Sequence, residues 1–327
     1  MLISWSASLD AYKWCGGPAV LNQHIFKVAE KRELIRREYL YFATRQAMRE
    51  IRLQVHGATM RHITKPEFEA IQIPLPPLEE QKRIAAILNE QMAAVERARA
   101  AAEAQLEAAK ALPAAYLRAV FSSPESQQWP RKPLRELCES DGQYGTSEKA
   151  DPSGVGLPVL RMGNILDGRI LWDDLKFIQL PKVEEEKYRL VKGDLLFNRT
   201  NSAELVGKTA VYDGSHDAVF ASYLIRFRIE RTRADSEFVC SYINSECGRR
   251  FIEQNMARAI GQVNISASTM HRMPIPLPPL INQQRIAAML NDQMASAEQV
   301  RKAIEEELDA INKLPAALLR RAFNGEL

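Results

Sequence analysis

One stretch of this chain occurs twice, and it constrains the fold more than any other feature. Residues 73–92 read IPLPPLEEQKRIAAILNEQM, and residues 275–294 read IPLPPLINQQRIAAMLNDQM. The offset is 202 residues (275 minus 73), and it continues without a gap to Phe121 and Phe323. A self-match of this length indicates an internal repeat. Because a domain-sized insert separates the copies, we interpret them as a duplicated module.

Each copy joins a stiff connector to a long helical pattern. The prolines fix φ and disfavour helix in the residues before them, so the connector is predicted to be extended. Apolar residues then recur every seven positions with charged residues between them, which predicts a coiled-coil-like helix. They are Leu88, Val95, Ala102, Ala109 and Tyr116 in the first copy, and Leu290, Ala297, Ile304, Ile311 and Leu318 in the second.

The sizes of these side chains predict how the two helices pair. Ala102 and Ala109 are small where Ile304 and Ile311 are large, so an antiparallel pair places the small middle of one helix against the large middle of the other. At about 1.5 Å per residue, each helix is predicted to be roughly 60 Å long. Pro113 and its counterpart in the second copy should kink or break both helices, because each proline removes a helical hydrogen bond.

The duplication extends upstream of the helices. Residues 19–28 predict a half-buried strand, and residues 32–53 predict an amphipathic helix. The same layout returns as a strand region, Val219–Ile229, and a helix from Glu237 to Met256. Here the offset is 199 residues, three fewer than for the long helices, so a change in length lies between them.

The smaller offset predicts that the chain starts inside a domain. Met1 corresponds to Thr200 on this offset, whereas the second domain is predicted to begin near Trp129. We therefore expect the first domain to lack roughly seventy residues of its counterpart. Such a domain would leave strand edges and apolar surface unpaired, so we expect a partly folded remnant.

The remaining segments predict the fold class. Short strands punctuated by Gly, Pro, Asn and Asp are predicted at Leu157–Arg161, Arg169–Trp172, Asp194–Asn198, Lys208–Tyr212 and Val219–Ile229. The expected class is α+β, with mixed, largely antiparallel sheets in globular domains that alternate with two long coiled-coil-like helices paired antiparallel. The predicted order is a remnant of the first globular domain (1–77), the first long helix (78–122), an intact second globular domain (123–278) and the second long helix (279–327).

Composition and motifs exclude several classes of function. No run approaches the roughly eighteen apolar residues of a membrane span, and the first residues lack the features of a signal peptide, so we expect a cytoplasmic protein with no membrane partner. The four cysteines show no C-x-x-C spacing and the five histidines no H-E-x-x-H spacing, which argues against a metal site. No nucleotide-binding or methyltransferase signature occurs, so we expect no cofactor and no enzymatic activity.

Side chains that can contact DNA concentrate on turn-rich segments of the second domain. Base edges are read by Arg, Lys, Asn and Gln, and phosphates are held by Arg, Lys, Ser, Thr and Tyr. The candidates are Tyr144, Thr146, Ser147 and Lys149 in one loop, Arg161 and Asn164 at the end of a strand, Arg199 and Asn201 after another strand, and Arg258 and Gln262 before the second connector. Each could instead be an ordinary turn residue.

A family resemblance rests on several of these motifs together. The run PLPPL is followed by QKRIAAIL in the first copy and by QQRIAAML in the second, and the insert contains LRMGNI (160–165) and GDLLFNRTNS (193–202). This combination resembles the DNA-specificity subunit of type I restriction–modification enzymes over nearly the whole chain. In that family, two target-recognition domains alternate with two long helices that pair antiparallel and act as a spacer.

The resemblance implies a non-catalytic subunit that reads part of a bipartite site in double-stranded DNA. It also implies partners, namely methyltransferase (M) subunits and, through them, the restriction (R) subunit. With one complete reading domain, either two chains dimerise through their helices or a separate polypeptide completes the reader. Two alternatives stay open: a helical scaffold whose globular domain binds protein, and a truncated remnant without function.

Overall fold

A computed structural model describes residues 1–4, 10–54, 65–202, 205–259 and 262–327. The helices are α1 Arg37–Gln54, α2 Lys65–Glu69, α3 Leu78–Phe121, α4 Pro124–Gln128, α5 Leu134–Leu137, α6 Lys182–Tyr188, α7 Ser236–Asn244, α8 Glu246–Asn255, α9 Ala267–His271 and α10 Leu280–Phe323. The strands are β1 Leu2–Ser4, β2 Asp10–Tyr12, β3 Ile25–Lys27, β4 Arg131–Pro133, β5 Gln143–Tyr144, β6 Leu157–Leu160, β7 Ile165–Leu166, β8 Arg169–Ile170, β9 Lys176–Ile178, β10 Asp194–Asn198, β11 Thr200–Asn201, β12 Thr209–Val211, β13 Val219–Phe220, β14 Leu224–Arg228, β15 Ala257–Ala259, β16 Gln262–Asn264 and β17 Pro274–Pro276. In these ranges, no helix is both long and apolar enough to cross a membrane.

The chain forms two compact units. Unit 1 comprises Met1–Ala108 together with Arg301–Leu327, and unit 2 comprises Ala109–Val300. Each long helix therefore contributes one end to each unit. The fold is mixed α+β with small sheets and long helices, as predicted.

Unit 2 is built around a four-stranded antiparallel sheet in the order β12-β10-β14-β5. A second sheet, β13-β6-β9, contains a parallel pair, β13 with β6. Three further small sheets are antiparallel: β11-β16-β15, β17-β4 and β7-β8. The predicted strand Asp194–Asn198 is confirmed as β10, and all five of its residues are buried.

Strand β10 is fully buried because each of its faces packs against a different apolar cluster. Leu195 and Phe197 join a cluster with the helical residues Phe238 and Ile252. Leu196 points the other way and joins a cluster formed by residues of the β13-β6-β9 side. Since side chains alternate along a strand, one short sequence supplies both cores.

In unit 2, the end of α3 packs antiparallel against the beginning of α10. Leu117 and Phe121 lie in one buried cluster with Ala287 and Leu290. The ring of Phe121 also lies 5.4 Å from that of Phe238, near the start of α7. The helix pair thus forms part of the core of this domain.

In unit 1 the roles of the two long helices are exchanged. Leu88 of α3 clusters with Leu319 of α10, and Val95 and Ala102 cluster with Ile311. The order along the two helices runs in opposite directions, which confirms the antiparallel pairing. The contact between Ala102 and Ile311 also confirms the predicted match of small against large residues.

The long helices were expected to kink or break at the prolines, and of these two outcomes the break is wrong. Helix α3 continues through Pro113, and α10 continues through Pro315. Four residues to either side of Pro113, Ala109 and Leu117 are both buried. A proline inside a helix costs about 3 kcal/mol, and apolar packing on both sides of the proline offsets that cost.

Two long elements predicted in the second domain are divided. The helix predicted over Glu237–Met256 is interrupted at Ser245, whose backbone is extended (φ −69°, ψ 166°) and whose hydroxyl accepts the Gly248 N–H at 3.4 Å. This serine therefore caps α8. The strand region predicted over Val219–Ile229 contains a turn at Ser222 and Tyr223 between β13 and β14. In the first domain, only Ile25–Lys27 of the predicted strand 19–28 is a strand.

The described part of the first domain forms a three-stranded antiparallel sheet in the order β2-β1-β3, with Ile3 and Met48 buried beside it. Leu2 lies opposite Lys27, as Leu196 lies opposite Arg226 in unit 2. With β3 at the offset of 199 residues (226 minus 27), this pairing makes β1 the counterpart of β10. The offset between β1 and β10 is 194 residues (196 minus 2). The predicted match of the chain start with Thr200 is wrong, because the intervening loops differ in length.

The repeated motif places a buried glutamine at the start of each long helix. In unit 2, the Gln283 Oε1 accepts the Asp235 N–H at 3.0 Å, and its Nε2 donates to the Pro278 carbonyl at 2.9 Å. In unit 1, the Gln81 Oε1 accepts the Arg36 N–H at 2.8 Å. Asp235 and Arg36 are 199 residues apart, so the two bonds are equivalent. Each glutamine ties its helix to the domain beside it.

Candidate nucleic-acid interface

Four segments of unit 2 meet beyond the end of β10 and form what we call the loop cluster. These segments are residues 144–149, 198–202, 221–223 and 262–264. The Arg199 N–H donates to the Tyr223 carbonyl at 3.0 Å, and the Ser222 N–H donates to the Thr146 carbonyl at 2.8 Å. Strand β11 pairs with β16. Backbone hydrogen bonds therefore fix the loops to one another.

Arg199 and Tyr144 form the centre of the loop cluster. The guanidinium carbon of Arg199 lies 4.7 Å from the centroid of the Tyr144 ring, which is a cation–π contact. Its Nη1 donates to the Ser222 carbonyl at 3.5 Å and its Nη2 to the Asn264 side chain at 3.3 Å. The Tyr144 hydroxyl accepts the Ala267 N–H at 3.1 Å. These contacts hold both side chains in fixed positions.

Besides Tyr144, the loop 144–149 contains one buried and two exposed candidates. Thr146 is only 3% exposed, and its Oγ1 accepts the Glu148 N–H at 3.1 Å. Ser147 and Lys149 are exposed. Thr146 therefore shapes the loop, while Ser147 and Lys149 are accessible to a ligand.

Arg161 and Asn164 mainly bind their own loop. Asn164 is 2% exposed, and its amide Nδ2 donates to the carbonyls of Leu171 and Asp173, both at 3.1 Å. The Arg161 Nη2 donates to the Asp174 carbonyl at 2.6 Å. Burial thus changes the role expected for Asn164, as it does for Thr146: neither side chain is presented to a ligand.

The last three candidates lie on the small sheet β11-β16-β15. Asn201 and Arg258 both lie opposite Val263, and Gln262 lies opposite Ala259. The side chains of these three candidates fall outside the described residues, but their backbone positions are fixed by this sheet. The fold therefore brings them beside Arg199, which directly precedes β11.

Sequence reasoning missed Tyr223. Its side chain is 47% exposed at the turn between β13 and β14. Its backbone carbonyl accepts the Arg199 N–H at 3.0 Å and so holds the Arg199 backbone in place. The turn was hidden because residues 219–229 read as one continuous strand. The sequence signal that could have revealed it is Ser222-Tyr223, a polar pair between two apolar runs.

A buried ionic network supports the strands beneath the loop cluster. Arg226 of β14 is 5% exposed, and its guanidinium binds the side chain of Gln143, the residue before Tyr144. Its Nη1 also lies 3.5 Å from one carboxylate oxygen of Asp194. The other oxygen of Asp194 accepts a hydrogen bond from the Arg228 Nε at 2.9 Å. Burial lowers the pKa of Arg226, and the charge of Asp194 opposes that effect.

His271 contacts the backbone just before the first segment of the loop cluster. The Gly142 N–H donates to the His271 Nε2 at 3.3 Å, so this nitrogen carries no proton. The imidazole ring also lies 5.5 Å from the ring of Phe227. Burial lowers the pKa of His271. The neutral ring is therefore the form that the fold stabilises.

The exposed side chains of the loop cluster suit an anionic, planar ligand. A lysine, a serine hydroxyl and tyrosines can bind phosphate oxygens, and tyrosine rings can contact bases or sugars. In the part of the chain that the structure describes, no group of three or more His, Cys, Asp and Glu side chains is placed to hold a metal ion. The arrangement is one of binding groups held on a rigid frame.

Comparison with known families gives one broad match. The type I restriction modification DNA specificity domain matches residues 1–107 and 126–310 of the chain. Both copies of the connector and the whole loop cluster lie inside these ranges.

Characterised relatives and solved structures are similar as well. The chain is 29% identical over 283 residues to the type I restriction enzyme EcoKI specificity subunit of Escherichia coli (strain K12), covering 83% of this chain but only 61% of that protein. A chain solved in work on complex assembly and conformational transition of the type I R-M system has a TM-score of 0.73 at 23% identity, covering 93% of this chain and 75% of that one. The HsdS subunit from Thermoanaerobacter tengcongensis has a TM-score of 0.58 at 23% identity, covering 93% and 73%.

Proposed function

The chain belongs to the family of type I restriction–modification DNA specificity domains, and on this premise we propose that it reads part of a bipartite site in double-stranded DNA. The observation that carries the proposal is the family match over residues 1–107 and 126–310, which includes the loop cluster. The chain spans only 61% of the length of the EcoKI subunit. For this chain, the activity and the partners of the complete subunit are therefore proposals.

We assign different roles to the residues of the loop cluster. Ser147, Lys149 and Tyr223 are exposed and make the first contacts with phosphates, sugars or base edges. Arg199 and Tyr144 form a fixed platform whose cation–π pair faces the same ligand.

The remaining candidates divide in two groups. Asn201, Arg258 and Gln262 lie on the adjoining sheet and contribute base-edge contacts. Thr146, Arg161 and Asn164 set the shape of the loops from below. A reader of this kind separates positioning from specificity, as protein–DNA interfaces generally do.

The partners follow from the same proposal. Methyltransferase (M) subunits dock on the long helices and recognition domains, and the restriction (R) subunit joins through them. The antiparallel helices set the distance between the two halves of the target. The second half is read by another polypeptide or by a second copy of the chain that dimerises through the helices. The catalytic steps belong to the partner subunits.

The experiment that tests this function is a selection from random duplex DNA. The chain is purified in complex with the methyltransferase subunit of its own system, and bound DNA is sequenced over several rounds. We expect a two-part motif to be enriched. In a Ser147→Ala, Lys149→Ala, Tyr223→Ala triple variant, one half of the motif should weaken, because only unit 2 is altered.

A matched control is a Lys192→Ala variant. Lys192 is also exposed, but it precedes β10 at the strand end opposite the loop cluster. It should leave the motif unchanged. Absence of any enriched motif, with a complex whose stability is indifferent to salt, would support a protein-binding scaffold, since DNA binding weakens steeply as salt rises.

A further inference from the structure

Three helices of unit 2 enclose a groove that lies apart from the loop cluster. It is a cavity of about 310 Å³ between α3, α7 and α10. Part of its lining, which we call the α7–α10 pocket, consists of Glu237, Cys240 and Ser241 from α7 and Asn291 and Met294 from α10. The pocket therefore combines oxygen acceptors with an apolar methionine side chain.

The repeat identifies the equivalent place in unit 1. There, the rings of Tyr39 and Phe323 lie 5.5 Å apart, and in unit 2 the rings of Phe238 and Phe121 lie 5.4 Å apart. The offsets are 199 residues (238 minus 39) and 202 residues (323 minus 121). Helix α1 therefore corresponds to α7 at the offset of 199, and the start of α3 corresponds to the start of α10 at the offset of 202.

At this place, unit 1 holds the ammonium group of one of its own lysines. The Lys13 Nζ donates to the Asn89 Oδ1 at 3.4 Å. It also lies 4.6 Å from the centroid of the Tyr41 ring and 5.3 Å from that of the Phe42 ring, which are cation–π contacts. By the two offsets, the counterparts of Asn89, Tyr41 and Phe42 are Asn291, Cys240 and Ser241. The same place in the repeat is thus a cation site in unit 1.

Unit 2 keeps the amide of this site but lacks the lysine. Leu2 lies opposite Tyr12 in unit 1, as Leu196 lies opposite Ala210 in unit 2. The residue that follows Ala210 and corresponds to Lys13 is the uncharged Val211. Small cysteine and serine side chains also replace the two aromatic rings. The place that a lysine fills in unit 1 is therefore an open cavity in unit 2.

The pocket also contains a carboxyl group that lacks a cation. Within the described ranges, Glu237 forms no ion pair, and its side chain accepts a hydrogen bond from that of Asn291. Burial, and after it the negative charge of Asp235, raises the pKa of Glu237. A partly buried carboxylate beside another carboxylate favours a bound cation.

The cations of the groove do not compensate Glu237. Lys208 lies beside the far end of α7, since the N–H of the next residue donates to the Asn244 side chain at 3.1 Å. Seven residues of α7 separate Asn244 from Glu237, a distance of about 10 Å. Lys208 also pairs with Asp167 at 3.9 Å. Arg249 lies beyond α7, in α8, and donates to a backbone carbonyl.

We propose that the α7–α10 pocket binds the primary ammonium group of an alkylamine, with Glu237 and Asn291 as acceptors. The ammonium donates to a carboxylate oxygen and to the Asn291 Oδ1, the atom that Asn89 offers to Lys13 in unit 1. The methylene chain of the amine lies along Met294. A free polyamine and a lysine side chain of a partner protein both present this chemistry. The site does not depend on DNA recognition.

The probe that tests the proposal is n-butylamine, which has the chemistry of the end of a lysine side chain. Its binding to the full chain is followed by saturation-transfer difference NMR, with n-butanol as the matched neutral ligand. We expect saturable binding of the amine and at least tenfold weaker binding of the alcohol. Glu237→Gln keeps the size of the side chain but removes its charge, so the amine should bind at least about tenfold more weakly, the effect of one hydrogen bond to a charged group. Glu184→Gln, at an exposed position of α6, is the control and should bind as the wild type does.

Two further arms test the shape of the pocket and the source of the amine. Ser241→Phe introduces the ring that unit 1 has at this position and should abolish binding. Spermidine and lysine blocked at both backbone ends then compete with n-butylamine. Displacement by spermidine alone supports a free polyamine, and displacement by the blocked lysine supports a partner protein. Displacement by neither, equal binding by wild type and Glu237→Gln, or no saturable binding of n-butylamine would overturn the proposal.

Discussion

Replacing Gln283 with leucine removes two buried hydrogen bonds at the junction of α7 and α10. The Asp235 N–H and the Pro278 carbonyl then lose their partners at 3.0 and 2.9 Å. A buried polar group without a partner costs about 1–3 kcal/mol, and leucine offers neither a donor nor an acceptor. We therefore expect Gln283→Leu to reduce the free energy of unfolding of unit 2 by about 3 kcal/mol. The matched control is Gln284→Leu at the exposed neighbouring position, which should change it by less than about 0.5 kcal/mol.

The assay is urea unfolding followed by tryptophan fluorescence. Trp129 reports on this region, because its ring lies 6.1 Å from that of Phe238 in α7. With a slope of about 2–3 kcal/mol per molar urea, the transition of Gln283→Leu should move down by roughly 1 M. If Gln283→Leu and Gln284→Leu unfolded at the same urea concentration, the glutamine would not hold the helix to the domain, and the reasoning would be refuted.

Three further predictions concern the same unit. Asp194→Ala should destabilise it by about 3–5 kcal/mol in urea unfolding, because it leaves the buried Arg226 without its carboxylate; unchanged stability would mean that the pair contributes nothing. Phe121→Ala should cost about 3–5 kcal/mol by the same assay, since the ring is fully packed in the core. Burial favours the neutral ring of His271 and so lowers its pKa. The folded state therefore has its full stability above about pH 6.5 and loses part of it as the pH falls from there towards the folded pKa. Urea midpoints measured at pH 7.5 and 5.5 should differ more for the wild type than for His271→Leu, and an equal difference would contradict this role.

The sequence predicted those features that depend on local periodicity. Leu88, Val95 and Ala102 recur every seven residues, and all three are buried in the helix pair. The repeat also predicted that two connectors would precede two helices of equal length. In each case the pattern within a short window decides the structure, because the helix period places these residues on one face.

Features that depend on distant partners could not be predicted in the same way. Gln81 and Gln283 look like surface residues of a charged helix, yet their hydrogen-bond partners are 45 and 48 residues away. Thr146 and Asn164 are residue types that can contact DNA, but the same residue types also stabilise turns. Their burial is set by strands that pair across the domain. Tyr223 was missed because a tight turn interrupted what looked like one strand.

The measurement that tests the central claim most directly is a specificity ratio for DNA. Once a motif has been selected, the affinity of the chain–methyltransferase complex is measured for the selected duplex and for a scrambled duplex of equal composition, at one physiological salt concentration. A sequence reader is predicted to prefer the selected duplex by at least about a thousandfold. A ratio near one would contradict the account, because phosphate contacts alone do not distinguish sequences.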